Sequence, residues 1–248
     1  MRICLKIGYD GTNYNGWQSG GTGIDISTIL TNAIKKLLDE DIKVIAASRT
    51  DAGVHANENV VIFDTNRTVN PDKLFFAINN LLPNDIVVKS SKMVADSFNP
   101  RKCDTIKTYL YKIHNAKVRD PLKNRYSHYV FYDIDIKKMI KASKFLIGTY
   151  DFRSFANPRS QVIENGGKTI RTINSIKILK KDDMIETYVQ GEGFLYNMVR
   201  IIVGTLLKIG MNMWDVEYIK EILALKDRKY AGFTLPACGL TLINIKFT

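Results

Sequence analysis

Four side chains that could take part in chemistry, those of Arg49, Thr50, Asp51 and His55, fall within the nine residues "SRTDAGVHA", Ser48 to Ala56. They are a fixed cation, a hydroxyl, a carboxylate and an imidazole. The stretch follows the apolar run Val44 to Ala47, so it reads as a loop leaving a strand. A cation two residues before an aspartate keeps the carboxylate ionised and oriented. Small residues at Ala52 and Gly53 let another molecule's ring or backbone come close. A carboxylate presented in this way can act as a nucleophile or take a proton. The same residues also describe an Asx-turn, in which Asp51 caps its own loop and Arg49 is solvated. His55 has no evident partner in the sequence and reads as a hydrogen-bonding loop residue.

Other chemistries find little support. Cys4, Cys103 and Cys238 are odd in number and far apart, which argues against a disulfide framework, and no CxxC pair occurs. His55, His114 and His128 form neither HxxxH nor HxE, so no metal site is expected. His114 and His128 read as structural or surface histidines. "GGTG" at Gly20 to Gly23 lacks a following Lys-Ser/Thr and completes no GxGxxG. It reads as a connector. Asp10 and the pair Asp182-Asp183 read as turn residues.

Charge points to a partner. Lys and Arg number 36 against 25 Asp and Glu, a formal net charge of +11. Such an excess favours polyanions through phosphate neutralisation and counterion release, although a generally lysine-rich protein would show it too. From Phe98 to Tyr132 the chain carries Arg101, Lys102, Lys107, Lys112, Lys117, Arg119, Lys123 and Arg125. Interleaved with them are Tyr109, Tyr111, Tyr126, Tyr129, Phe131 and Tyr132. Cations track phosphates, and flat rings stack on unpaired bases. A strand with lysines outward and aromatics inward accounts for Tyr109 and Tyr111 equally well.

These residues need elements to hold them. "RICLKIGYDGT" alternates apolar and polar residues before Asp10-Gly11, the pattern of a strand ending in a turn. Ser27 to Leu38 has helical spacing. Asn70-Pro71 predicts a capped helix reaching about Leu82. "IKVIAASRT", "NVVIFDT", "DIVVKSSKMV" and "TIKTYLYKIHNA" predict strands. Further on, Asp135 to Leu146, Asn197 to Ile209 and Asp215 to Leu225 predict helices. "TIRTINSIKILKKD" and "MIETYVQGEGF" predict a hairpin, and "GLTLINIKF" a closing strand. The class is α+β with a mixed, largely antiparallel sheet. Two related halves are expected, 1–104 with the aspartate loop and 105–248. With 45% hydrophobic residues the chain can bury a sizeable core. It contains no run of about 20 apolar residues and no apolar leader, so a cytoplasmic protein is expected.

Taken together, "IGYDGTNYNGWQ", "SRTDAGVHA", "NNLLPNDI", "SFNPRKCDTIKTYLY", "GTYDFRSF", "GEGFLYNMVRIIVGTLL" and "GLTLINIKF" resemble the bacterial tRNA pseudouridine synthase A (TruA) family over nearly the whole chain. The resemblance implies isomerisation of uridine to pseudouridine at positions 38, 39 and 40 of the tRNA anticodon stem-loop. It implies two similar sheet-and-helix halves with a central catalytic cleft, the pseudouridine synthase fold. It also implies a homodimer that receives tRNA across both subunits, with no metal and no small-molecule cofactor. By resemblance, Asp51 is the catalytic nucleophile, Tyr109 the active-site tyrosine, and Arg200 the basic partner of the aspartate. Leu240 lines the uracil pocket. Phe98 to Lys102, including Arg101, and the neighbourhood of Lys168 and Arg171 fall on RNA-binding segments. Arg49 can support Asp51 as a second cation or contact the RNA. The chain departs from many family members at "DISTIL", where they carry a Val-Gln pair, and along "ANPRSQVIENGGKTIRT". Two rival readings stand beside this one. One is an isomerase acting on a different uridine. The other is a non-catalytic RNA-binding module, which would need the cations and aromatics but not Asp51 with Arg200.

Overall fold

The structure is a computed structural model that describes residues 1–18 and 24–248. The stretch Gly20 to Gly23, read above as a connector, lies outside the described residues. In chain order the elements begin β1 (Arg2–Tyr9), α1 (Ile26–Leu38), β2 (Ile45–Ala46), β3 (His55–Asp64), α2 (Leu74–Asn79), β4 (Ile86–Val94) and β5 (Thr105–Asn115). They continue β6 (His128–Val130), α3 (Ile136–Ser143), β7 (Gly148–Asp151), α4 (Gln161–Glu164), β8 (Ile170–Lys181) and β9 (Met184–Gly191). The run closes with α5 (Met198–Gly210), α6 (Tyr218–Leu225) and β10 (Leu240–Phe247). The fold is α+β, with mixed and mostly antiparallel strand pairing. The chain forms two compact units. The first is Met1–Thr105 with Thr241–Thr248, and the second is Ile106–Leu240.

In the first unit β1 pairs antiparallel with β3 on one side and β4 on the other. As a central strand it buries Ile3, Leu5 and Ile7 completely on one face and nearly buries Cys4 on the other. The far edge of β3 is shared. β2 covers Val61 and Ile62, and β10 runs parallel beside His55 and Ala56. α1 starts at Ile26 because the Asp25 carboxylate caps it, accepting from the Thr28 N–H at 2.8 Å. Its buried stripe is Ile26, Leu30, Ala33, Ile34 and Leu38. The helix expected after Asn70 is shorter than its sequence signal. Asn70 accepts from the Asp72 N–H in a local turn, and α2 opens only at Leu74 without a side-chain cap.

In the second unit the strand order is β5, β9, β8, β7, all antiparallel, with β6 added in parallel to β5. β9 buries every second residue: Ile185, Thr187, Val189 and Gly191. The β8–β9 hairpin turns at Asp182, whose φ of 51° lies in the left-handed region. α5 is buried on nearly every side, which accounts for its almost uninterrupted apolar sequence. α3 is capped by Asp135, buries Met139 and Ala142, and packs on α5 and β8, with Met139 against Gly210 of α5. The sequence signal does not separate β6, β7 or α4 from loop. Each has only three or four residues, too short for periodicity to register.

Candidate active site

Asp51 sits half-buried in the turn that leads into β3. The Val54 N–H returns to the Asp51 carbonyl at 3.1 Å and closes the turn, with Gly53 at φ 75°. The segment Tyr9 to Trp17 packs on the same turn. The Trp17 N–H donates to the Thr50 carbonyl at 3.0 Å, and the Gly53 N–H donates to the Tyr14 carbonyl at 3.2 Å. Gly16 makes this approach possible. Its φ is 89°, and a Cβ there would lie 2.6 Å from the Thr50 oxygen. Side chains complete the support. The hydroxyls of Tyr9 and Thr50 share a buried 2.8 Å hydrogen bond, and Asn59 Nδ2 donates to the Ser48 carbonyl at 2.9 Å. The main chain flanking Asp51 is thus fixed by its neighbours.

His55 is buried and tied to the loop that follows β1. Its Nδ1 lies 3.1 Å from the Gly11 N–H nitrogen and 3.1 Å from Asp10 Oδ1. One ring nitrogen cannot both accept from Gly11 and donate to Asp10, so the tautomer selects between the two contacts.

Two cations flank the aspartate turn. Arg49 is exposed, and Arg101 Nε donates to the Ala46 carbonyl at 3.3 Å. Burial, and then the nearby charge of Arg49, press the Arg101 guanidinium below its ordinary pKa. Lys102 follows as an exposed cation, and the turn is shaped by Asn99, whose side-chain oxygen accepts from the Arg101 N–H at 3.0 Å. Phe98 packs edge-on against Phe247 at 5.3 Å between ring centres.

In the second unit, Tyr109 is 7% exposed on β5 and meets the Phe194 ring edge-on at 5.2 Å. Tyr111, two residues on, is fully buried and donates to the Pro236 carbonyl at 2.8 Å. Burial raises its phenol pKa strongly. Arg200 lies in the first turn of α5. Its Nε donates to the Leu235 carbonyl at 2.6 Å and its Nη1 to Asn197 Oδ1 at 2.8 Å. Leu235 can reach Arg200 because the preceding chain presses onto α5. A Cβ at Gly204 would lie 2.1 Å from the Phe233 oxygen, and the Gly232 N–H donates to Thr205 Oγ1 at 2.9 Å. The same segment runs on to Leu240, which is 5% exposed. Arg171 Nη1 donates to the carbonyls of Lys168 at 2.9 Å and Ile170 at 2.6 Å, while the Lys168 side chain is exposed.

The eight cations between Phe98 and Tyr132 do not form one uniform set. Lys112 faces Glu186 at 3.8 Å, Lys117 pairs with Asp133 at 3.1 Å, and Lys123 is held by Asp183. These lysines neutralise local carboxylates, whereas among the described residues Arg101 and Lys107 have no such acid. The residues that aim Arg200, Asn197 and the Leu235 carbonyl, do not stand out in the sequence. A main-chain acceptor carries no residue signature, and Asn197 announces only a helix start. Among the described residues no group of three His, Cys, Asp or Glu side chains could hold a metal ion. Among them, too, no helix is long and apolar enough to cross a membrane.

A profile of the family described as tRNA pseudouridine synthase matches residues 7–101 and 142–248. A protein of Thermoanaerobacter sp. (strain X514) named tRNA pseudouridine synthase A is 42% identical over 243 residues, covering 98% of each chain. A Clostridium tetani protein named tRNA pseudouridine synthase A 2 is 45% identical over 246 residues, covering 97% of this chain and 96% of its own. The Brevibacillus brevis tRNA pseudouridine synthase A is 37% identical over 246 residues, covering 99% of each.

Proposed function

Because the chain belongs to the tRNA pseudouridine synthase family, we propose that it isomerises uridine to pseudouridine at positions 38, 39 and 40 of the tRNA anticodon stem-loop, with Asp51 as nucleophile. The reaction breaks the uracil N1–C1′ bond, turns the base, joins C5 to C1′ and moves the C5 proton to N1. Nothing is oxidised and no group leaves the molecule, so the reading invokes neither cofactor nor metal. It does call for one well-placed carboxylate. Asp51 serves by attacking C1′ or C6, or by assisting proton removal from the ribose while the base is detached. In this reading Arg200 is the cation that keeps Asp51 ionised. Tyr109 stacks on the uracil and places its hydroxyl for the proton at C5. Leu240 lines the base pocket.

Extruding the base costs a few kcal/mol. Contacts from Arg49, Phe98, Arg101, Lys102, Lys168 and Arg171 to the RNA offset that cost. The proposal takes the halves 1–104 and 105–248 as related, with the central cleft that the family resemblance implies receiving the base. It includes a cytoplasmic homodimer with tRNA lying across both subunits.

The observation that carries the reading is the Asp51 turn itself. A half-buried carboxylate stands on a main chain held by Tyr14, Trp17 and Asn59, in a chain matched to its relatives along almost its full length. Incubation with unmodified tRNA followed by pseudouridine mapping tests it. Wild type is expected to modify positions 38 to 40, and Asp51→Asn to bind tRNA without modifying it. Unmodified tRNA after incubation with wild type ends the proposal. Pseudouridine at other positions replaces the substrate assignment, and full activity in Asp51→Asn removes the nucleophile.

A further inference from the structure

Lys107 is a half-buried lysine with no acid to answer it among the described residues. It lies near the start of β5, two residues before Tyr109 and on the same face. Across the sheet it stands opposite Gly191, which stands opposite Ile173 on β8. Two residues before Ile173, on that face again, is Arg171. Lys107, Tyr109 and Arg171 therefore share one surface at one end of the second unit's sheet. Gly191 puts no side chain between them, and the Phe194 ring that meets Tyr109 closes over that glycine.

The charges at this corner are unbalanced. Burial, and then the charge of Arg171, lower the Lys107 pKa, and burial lowers that of Arg171. Among the described residues the Lys107 ammonium has neither ion pair nor hydrogen bond, and Arg171 donates to main-chain oxygens. The other lysine of β5, Lys112, has Glu186 opposite it. Two cations held near each other in a partly desolvated corner are stabilised by an anion, and a guanidinium beside an ammonium suits the oxygens of a phosphodiester. Along the strand, Lys107 and Tyr109 are separated by about 6.6 Å, two residues of rise. That is the length scale of one nucleotide.

We propose that Lys107 and Arg171 form the subsite that holds a backbone phosphodiester flanking the uridine to be isomerised. The inference rests on the reading above that Tyr109 meets the uracil. It adds that the same strand grips the nucleotide by its phosphate, so that base and backbone are registered on one rigid element.

The test is a cycle between protein and RNA. Anticodon stem-loops carry a neutral methylphosphonate either 5′ or 3′ of the target uridine. Wild type, Lys107→Met and Arg171→Gln are compared for single-turnover pseudouridine formation and for equilibrium binding. One of the two methylphosphonates is expected to weaken wild type by roughly tenfold or more, as losing a charged hydrogen bond does. Lys107→Met should lose about as much on natural RNA and nothing further on that methylphosphonate. Lys107→Arg should recover most of the loss. If the effects of variant and methylphosphonate simply multiply at both positions, the subsite is wrong. Should Lys107→Met fail to fold, the Arg171→Gln cycle decides the question by the same criterion. The binding arm reads the subsite even if wild type makes no pseudouridine, the outcome that would end the catalytic proposal instead.

Discussion

Asp51 stands on a turn whose position is set by main-chain groups of a neighbouring loop, while Arg200 stands on a helix and is aimed by two side-chain hydrogen bonds. The first arrangement depends on backbone meeting backbone, which Gly16 permits. The second depends on a buried helix, α5, and on a loop that approaches it at Gly204. A turn built from main-chain contacts can move as a body when its support is disturbed, while the rest of its unit stays folded. A helix inside a core cannot be shifted without unpacking the core. Errors near Asp51 should therefore appear as lost rate, and errors near Arg200 as lost rate mixed with lost stability.

Asp51→Ala gives the largest expected effect. Single-turnover pseudouridine formation should fall by at least about a thousandfold, as when a nucleophile is removed. Melting temperature and tRNA affinity should stay close to wild type. Turnover within tenfold of wild type would take the nucleophile role away from Asp51. Arg200→Ala comes next, with about a hundredfold loss in the chemical step at saturating tRNA. Unlike Asp51→Ala, it should also cost about 1–2 kcal/mol in urea unfolding, because the Leu235 carbonyl and Asn197 lose their donor. Equal melting curves for the two variants would erase the contrast.

Two glycines probe the same difference without touching either charge. Gly16→Ala places a Cβ 2.6 Å from the Thr50 oxygen. A displacement of the turn by about 1 Å is expected to cost up to about a hundredfold in rate, with little effect on tRNA affinity. Gly204→Ala drives a Cβ toward the Phe233 oxygen, inside the core of the second unit. It should show first as about 1–3 kcal/mol of destabilisation in denaturant titration. A Gly204→Ala variant that loses rate without stability would contradict the distinction. The smallest effect belongs to Arg101→Ala, beside the aspartate turn. Affinity should weaken by roughly fivefold to tenfold, and the slope of log affinity against log salt should flatten by about 0.7 to 0.9. Its chemical step at saturating tRNA should be unchanged.

The regular parts are legible in the sequence where periodicity is long. α1, α3 and α5 lie near their expected places, and the hairpin turns at Asp182-Asp183 as its two acidic residues suggest. Asn70-Pro71 misleads because asparagine satisfies a local turn instead of capping a helix. The loop character of "SRTDAGVHA" is equally plain, but its support is not. Tyr9, Tyr14, Gly16 and Trp17 hold it from another part of the chain, and no local pattern reports a contact of that range. The same limit hides the difference between Lys112 and Lys107. Both are lysines on one strand among aromatics, and only cross-strand register shows that one faces Glu186 and the other Gly191.

β10 gives the order of synthesis a bearing on the aspartate loop. Thr241 and Leu242 lie beside His55 and Ala56, the residues that lead β3 away from the Asp51 turn. The whole of Ile106–Leu240 must be translated before those partners exist. At about 5–20 residues per second this takes roughly 7–27 seconds. Throughout that interval the nascent first unit carries an open strand edge next to its aspartate loop. A ribosome that stalls late would thus leave a polypeptide that has Asp51, Tyr109 and Arg200 but still lacks the strand that flanks the exit from the Asp51 turn.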